Sequence, residues 1–288
     1  MLLAVPNVSE GRDREVVDAV GAAYAAGGAA LLDTHADPDH HRAVHTLAAA
    51  PGVLAGALVA GAREAVARID LDADRGVHPH VGALDVAPVV FLDEDRRGAA
   101  CAEALTAAER LGAEAGLPVF LYGILAGGRT RAALRRGGRA ALARRIADGE
   151  LAPDFGPRRL HPTAGAVLVA ARPPLVAFNL ELAAPATLED ARAIATAIRE
   201  GGVDGLPGVR ALGLQLVSQG GTVQVSTNVE DHRRVRLAEV VAAVQRHADV
   251  AACELVGLAP RAAFEGFPEH VPIRGRRTVE DALQALSS

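Results

Sequence analysis

Two histidines, His78 and His80, flank Pro79 directly before a predicted strand. An imidazole has an unperturbed pKa of about 6.5, so a histidine on an accessible loop can take up and release a proton near neutral pH. Pro79 restricts the backbone of the residue before it and thereby favours a fixed position for His78. The spacing makes His78 a candidate general acid and base. A surface turn with two solvated histidines is the alternative that the spacing leaves open.

A second group of histidines lies along one predicted hairpin. On an extended strand, His41 and His45 would share a face about 13 Å apart, which is too far for direct ligation of one ion. Ligands from different strands could still converge on a metal. The alternative hypothesis of a metal-dependent hydrolase would use five imidazoles, namely His35, His41, His45, His78 and His80.

The segment 151–165 contains three prolines and two glycines. Prolines reduce the entropy that a loop loses on binding, and glycines let the backbone approach a ligand closely. Arg158 and Arg159 can each hold a carboxylate through two hydrogen bonds. The composition therefore indicates an ordered binding loop, or else an interdomain linker with solvated arginines.

A fourth candidate lies on a predicted hairpin strand near the C-terminus. Alternation along this strand places Gln224, Ser226 and Asn228 on one face. A polar sheet face of this kind can line a ligand cavity, or it can simply contact water.

The composition excludes several classes of protein. All 30 basic residues are arginine, which excludes Schiff-base chemistry at lysine and a P-loop lysine. A net charge of -5 and 3% aromatic residues argue against a nucleic-acid partner. Cys101 and Cys253 form no CxxC pair, which is typical of reduced thiols. Without a signal-like or membrane-spanning run, we expect a cytoplasmic protein with no membrane partner.

The order of predicted elements is β-α-β-β-α-β, and it occurs twice. The first set is predicted at residues 2–5, 12–26, 30–33, 41–47, 51–69 and 83–92, and the second at 175–182, 187–199, 209–217, 222–227, 236–246 and 250–256. Between them we predict a helix at 96–115, a strand at 118–122 and an arginine-rich helix at 129–146 with its charges mostly in water.

This pattern predicts an α+β fold of two ferredoxin-like subdomains, each a four-stranded antiparallel sheet with two helices on one face. We expect the subdomains to span residues 1–172 and 173–288.

Four motifs, taken in order, resemble those of the glutamate formiminotransferases, and the likeness spans nearly the whole chain. They are Val5-Pro6-Asn7-Val8-Ser9-Glu10-Gly11, His78-Pro79-His80-Val81-Gly82-Ala83-Leu84-Asp85, Ala152-Pro153-Asp154-Phe155-Gly156-Pro157 and Gln224-Val225-Ser226-Thr227-Asn228. The chain departs from the family pattern at six positions: His35, His41, His45, Arg158, Arg159 and Ala164.

The resemblance implies transfer of a formimino group from N-formimino-L-glutamate to N5 of tetrahydrofolate, in histidine degradation. It implies tetrahydrofolate as co-substrate without a metal, His78 as the catalytic residue, a homodimer, and no fused cyclodeaminase. The implied folate-binding residues are Gly156, Pro157, Arg158, Arg159, Leu160, His161, Pro162, Thr163, Ala164 and Gly165.

Charge complementarity adds further candidates. Asp33 suits a cationic amidine, and Asn228 is a further candidate for contact with the substrate. A positive groove for the carboxylates of both substrates would use four guanidinium groups, those of Arg42, Arg158, Arg159 and Arg172. A non-catalytic folate-binding protein and a formyltransferase acting on N-formylglutamate stay open as alternatives.

Overall fold

The computed structural model describes residues 1–72 and 79–286, and the chain divides into two compact units, Met1–Arg172 and Pro173–Ser288. Both units combine helices with a β-sheet, which confirms the predicted α+β class. No helix in these described ranges is both long and nonpolar enough to cross a bilayer.

The N-terminal unit begins with the predicted β-α-β-β-α-β order, its first strand being interrupted at Pro6. Its elements are β1 (Leu2–Ala4), β2 (Asn7–Val8), α1 (Arg14–Ala26), β3 (Ala30–Asp37), β4 (Arg42–Ala49), α2 (Leu54–Arg68), β5 (Leu84–Val90), α3 (Arg97–Glu114), β6 (Val119–Leu121), α4 (Arg131–Arg135), α5 (Gly138–Ala147) and β7 (Val167–Arg172).

The sheet of this unit has seven strands, more than the four predicted. The order β3-β4-β1-β5 is antiparallel and is the ferredoxin-like arrangement, with β2 continuing the path of β1. Strand β7 pairs in parallel with both β5 and β6. These two pairings extend the sheet beyond β5.

Strand β7 was not predicted because all of its residues except the last, Arg172, form one continuous nonpolar run without alternation. Parallel strands covered on both faces have this pattern. Residues of α3 pack in one core cluster with Val167 and Val169, while Leu134 of α4 and Leu142 of α5 pack in another with Leu168.

The predicted arginine-rich helix at 129–146 is two helices. Gly137 adopts a φ of 76°, a left-handed conformation that ends α4 and precedes α5. The break separates α4 from α5. In α4, Leu134 is buried and Arg135 is the last residue.

The N-terminus of α2 is capped from a distant part of the chain. The carboxylate of Glu103, a buried residue of α3, accepts hydrogen bonds from the backbone N–H groups of Ala55 (2.7 Å) and Gly52. These bonds satisfy N–H groups that have no partner within the helix, and they fix α2 against α3.

The C-terminal unit repeats the β-α-β-β-α-β order. Its elements are β8 (Val176–Leu182), α6 (Leu188–Ile198), β9 (Val209–Leu216), β10 (Thr222–Val229), α7 (Leu237–Gln245), β11 (Val250–Val256), β12 (Ile273–Arg274) and α8 (Val279–Ala285). The strand order is β12-β11-β8-β10-β9, so the four predicted strands form a ferredoxin-like sheet with β12 added in parallel to β11. Helices α6 and α7 share a core cluster with nonpolar residues of β8 and β10.

Candidate functional site

A buried ionic cluster connects three parts of the N-terminal unit. Asp85 in β5 has no exposed surface, and its Oδ1 accepts a hydrogen bond from the Val81 N–H at 2.9 Å. Its Oδ2 accepts from Nη1 of Arg42 in β4 at 2.8 Å and from Nη2 of Arg135 in α4. One carboxylate therefore fixes a strand, a helix and the segment that follows His80.

The predicted substrate-binding residue Arg42 is part of this cluster, and its side chain is only 10% exposed. Its Nε donates to Oδ1 of Asn7 at 2.9 Å, and Asn7 in turn donates to the Val5 carbonyl. Asn7 and Asp85 both belong to the sequence motifs, and the structure brings them together around one guanidinium.

The charges in the cluster perturb one another's ionisation. Burial opposes ionisation of Asp85, but the positive charges of Arg135 and Arg42 outweigh it and hold the pKa of this carboxyl well below its usual range. Burial lowers the pKa of Arg42 to about 10, with repulsion from Arg135 and Arg131 adding to the effect and Asp85 opposing it. Asp85 is therefore ionised and Arg42 protonated at neutral pH.

The predicted catalytic residue His78 lies outside the described residues, but both flanks of its segment are described. The Leu71 N–H donates to the Thr163 carbonyl at 3.0 Å. On the other side, Val81 accepts from the Ala166 N–H at 2.9 Å. The two described flanks, Leu71 and Val81, therefore both lie next to the end of the loop 156–165, the predicted folate-binding stretch.

Two glycines allow this close approach. A Cβ on Gly82 would lie 1.8 Å from the carbonyl oxygen of Ala166, and one on Gly165 would lie 2.1 Å from that of Val81. Gly165 also has a φ of +67°, which favours glycine. Neither position can carry a side chain without moving the backbone.

The loop 156–165 closes on itself through His161. The backbones of His161 and Gly165 exchange two hydrogen bonds of 2.9 and 3.0 Å, and the His161 ring Nδ1 accepts from the Ala164 N–H at 3.0 Å. Ala164 is fully buried, whereas Arg158 and Arg159 are exposed. The loop thus combines a rigid turn with two solvent-accessible guanidinium groups.

The remaining predicted residues lie elsewhere. Asp33 is half-buried in β3, next to a register shift against β4. Asn228 belongs to β10 of the C-terminal unit and shares a strand face with Gln224. Gln224 has no exposed surface, and neither polar atom of its amide has a hydrogen-bond partner.

The histidines of the metal hypothesis are dispersed where the structure describes them. His45 is completely buried beside Tyr24, with 5.4 Å between ring centroids, and burial lowers its pKa to about 4. The His41 Nδ1 lies 3.2 Å from Glu10 Oε1. Within residues 1–72 and 79–286, no three His, Cys, Asp or Glu side chains form a group that could hold a metal ion.

Sequence reasoning missed Arg135. The arginines of 129–146 were expected to lie mostly in water, but the side chain of Arg135 is only 13% exposed and bonded to Asp85. Arg145 is also largely buried, and it donates to the Ala133 carbonyl at 3.0 Å. In the helix, Arg135 directly follows the buried Leu134. No local feature of the sequence pairs Arg135 with Asp85, which lies 50 positions away.

A separate groove of about 640 Å³ lies in the C-terminal unit. Small nonpolar residues of α6 and the loop around the cis Ala184-Pro185 bond line it, together with Asp190, His247 and Asp249. It contains none of the predicted site residues, so its size does not connect it with the chemistry above.

Comparison with known proteins agrees with the four motifs. The family model described as the formiminotransferase domain, N-terminal subdomain, matches residues 1–172, and the model described as the formiminotransferase domain matches residues 177–271. The glutamate formimidoyltransferase of Streptococcus pyogenes serotype M1 is 34% identical over 276 residues, covering 92% of this chain and 91% of that protein.

The formimidoyltransferase-cyclodeaminase of Sus scrofa is 40% identical over 280 residues, covering 90% of this chain and 50% of that protein. The chain thus spans about half the length of this relative. The glutamate formimidoyltransferase of Thermoplasma acidophilum is 34% identical over 271 residues and is covered over 88% of its length. The chain therefore belongs to the formiminotransferase family.

Proposed function

We propose that the protein transfers the formimino group of N-formimino-L-glutamate to N5 of tetrahydrofolate. The observation that carries the proposal is the set of backbone hydrogen bonds joining both flanks of the His78 segment to the end of loop 156–165. These bonds support a site in which a proton-transferring imidazole and a folate-binding loop act together.

The reaction needs a proton to move in each direction. N5 bonds to the formimino carbon and loses a proton, and the bond from that carbon to the glutamate nitrogen breaks as this nitrogen gains one. A histidine with a pKa near neutrality can do both in turn, which typically contributes about 10²- to 10⁴-fold to the rate. His78 is the residue that we assign to this role.

The described residues fit substrates that carry carboxylates. Arg158 and Arg159 are exposed on a rigid loop, so their guanidinium groups suit the carboxylates of a glutamyl group. Arg42 contributes positive charge to the site, and we assign Asp33 to the amidine and Asn228 to contact with the substrate. Arg172, at the end of β7, completes the predicted positive groove.

Replacing His78 tests the proposal. We expect His78→Ala to lower kcat by at least about 100-fold while the Kd for tetrahydrofolate stays within about twofold, because the ring moves protons and is not assigned to binding. The matched control is His247→Ala, which removes a partly exposed histidine paired with Asp204 in the C-terminal unit. Unchanged turnover in His78→Ala would remove this residue from the mechanism.

The alternatives give different results with the same protein. A metal-dependent hydrolase would lose activity on treatment with chelator, whereas the proposed transferase would keep it. A non-catalytic folate-binding protein would bind tetrahydrofolate without transfer from any formimino or formyl donor. Transfer from N-formylglutamate alone would identify a formyltransferase.

We also propose that the protein is a cytoplasmic homodimer, by its resemblance to the family and because closed twofold dimers are the commonest soluble oligomers. Light scattering coupled to size-exclusion chromatography would measure its mass in solution. A mass equal to the 29.6 kDa of one chain would contradict the dimer.

A further inference from the structure

Arg135 has a guanidinium group that is only partly satisfied. Its Nη2 donates to Asp85, but its Nε is buried and has no hydrogen-bond partner. A buried donor on a charged group without an acceptor is costly, and native proteins rarely retain one without a reason. The Arg135 side chain as a whole is 13% exposed, so the residue is not completely closed off from solvent.

The surroundings of Arg135 are positive. Arg131 lies one turn earlier in α4, and its guanidinium carbon is 5.8 Å from the centroid of the Tyr122 ring. Burial is the main cause of the lowered pKa of Arg42, and repulsion from Arg135 and, less strongly, from Arg131 adds to it. Two guanidinium groups, those of Arg42 and Arg135, thus bond to the buried carboxylate of Asp85, and Arg131 adds positive charge near Arg42, an arrangement that favours a second anion.

The position of Arg135 is fixed, which favours recognition over nonspecific attraction. It ends α4 directly before the chain turns at Gly137, and the neighbouring Leu134 is buried in the core. Through Asp85 it is connected to Val81 and so to the segment that carries His78. An anion held here would lie near Asp85, which bonds both to Arg42 and to Val81 on the described flank of the His78 segment.

We propose that Arg135 binds the carboxylate of a glutamyl group. The inference rests on the proposed function, in which the donor and the folate each carry such a group. A guanidinium offers paired, planar donors that match a carboxylate, so the interaction is geometrically specific as well as electrostatic.

A purely structural role for Arg135 would have a different signature. If the residue only positioned Asp85, its loss would lower thermal stability and weaken every ligand alike. If it binds a carboxylate, its loss weakens only ligands that carry the matching group.

Isothermal titration calorimetry distinguishes these roles and the two sources of carboxylate. The probes are N-acetyl-L-glutamate, an inert relative of the donor, tetrahydrofolate, and tetrahydropteroate, which lacks the glutamyl group. The variants are Arg135→Gln and Arg135→Lys. The matched control is Arg136→Gln, which changes the next arginine, whose side chain is 75% exposed.

We expect Arg135→Gln to weaken binding of one glutamyl probe by about 10- to 100-fold and of tetrahydropteroate by less than twofold. Loss confined to N-acetyl-L-glutamate assigns the donor carboxylate, and loss confined to tetrahydrofolate assigns the folate tail. Should Arg135→Gln fail to fold, Arg135→Lys keeps a positive charge near Asp85 but loses the paired donors, and it should weaken the same probe by about tenfold. Arg136→Gln should change no affinity by more than twofold.

Equal weakening of all three probes, or no weakening in either Arg135 variant, would overturn the inference. Because these titrations require no turnover, they are independent of the proposed reaction. A wild-type protein that binds N-acetyl-L-glutamate through Arg135 but transfers no formimino group would disprove the function and leave the site standing.

Discussion

The two units share an order of elements but place their buried polar groups differently. In the N-terminal unit, the buried carboxylate of Asp85 is bonded to two arginines, Arg42 and Arg135. In the C-terminal unit, the buried polar side chains that the structure describes include no carboxylate and no guanidinium. There Asn179 donates to Glu254 at 3.2 Å, and neither polar atom of the Gln224 amide has a hydrogen-bond partner. Buried polar networks stabilise a fold only when their members are satisfied. The same order of strands and helices therefore encloses an ion-paired cluster in one unit and an unpartnered amide in the other.

The largest expected effect comes from removing the central charge of the N-terminal cluster. Asp85→Asn leaves Arg42 and Arg135 largely buried without their shared carboxylate. We expect it to lower the free energy of unfolding by about 3–5 kcal/mol, as breaking a buried ion pair from one side commonly does. Urea denaturation of the variant and the wild type measures this difference.

The matched change in the C-terminal unit is Glu181→Gln. This glutamate is 12% exposed and pairs with Arg274, whose side chain is 49% exposed. Because the arginine can be solvated when the charge of its partner is removed, the loss should stay below about 1 kcal/mol. Similar losses for the two variants would show that the units do not differ in the way described.

The second effect is acid sensitivity of the N-terminal unit through His45. Burial holds the folded-state pKa of His45 at about 4, below the value of 6.5 expected when unfolded. As the pH falls from about 6.5 to about 4, the unfolded chain takes up this proton first, so stability decreases. The decrease amounts to roughly 3 kcal/mol and levels off below pH 4.

His45→Phe should remove this part of the pH dependence, because the substitution keeps a ring beside Tyr24 and removes the titrating group. Unfolding free energies measured at pH 7 and pH 4.5 provide the test. His247→Phe, which alters a histidine of the C-terminal unit, should leave the slope intact. An unchanged slope in His45→Phe would contradict the assignment.

The smallest effect has the opposite sign and lies in the C-terminal unit. Gln224→Met replaces an unpartnered buried amide by a nonpolar side chain of similar length. We expect the free energy of unfolding to rise by about 1–2 kcal/mol, since the desolvation of the amide is no longer required. Loss of stability in thermal and urea unfolding would mean that the amide is satisfied in solution.

The order of elements in both units could be predicted because alternation and helical periodicity are local properties of the sequence. Strand β7 was not predicted because its first five residues are all nonpolar and show no alternation, which reflects cover on both faces. The break at Gly137 divided a helix whose composition alone suggested continuity.

The site was predicted in part. The motifs contain Asn7 and Asp85, and charge complementarity selected Arg42, but the contacts among the three residues depend on strand pairing that no spacing reveals. Arg135 was assigned to solvent because helical arginines usually lie there. The role of His78 stays a prediction.

The junction between the His78 segment and the loop 156–165 consists of backbone hydrogen bonds and two glycines. Its geometry is thus independent of the chemical identity of neighbouring side chains such as Arg158 and Arg159. Substitutions at those two positions should therefore leave the junction intact. Gly82 and Gly165, by contrast, should be kept unchanged in any library of random variants.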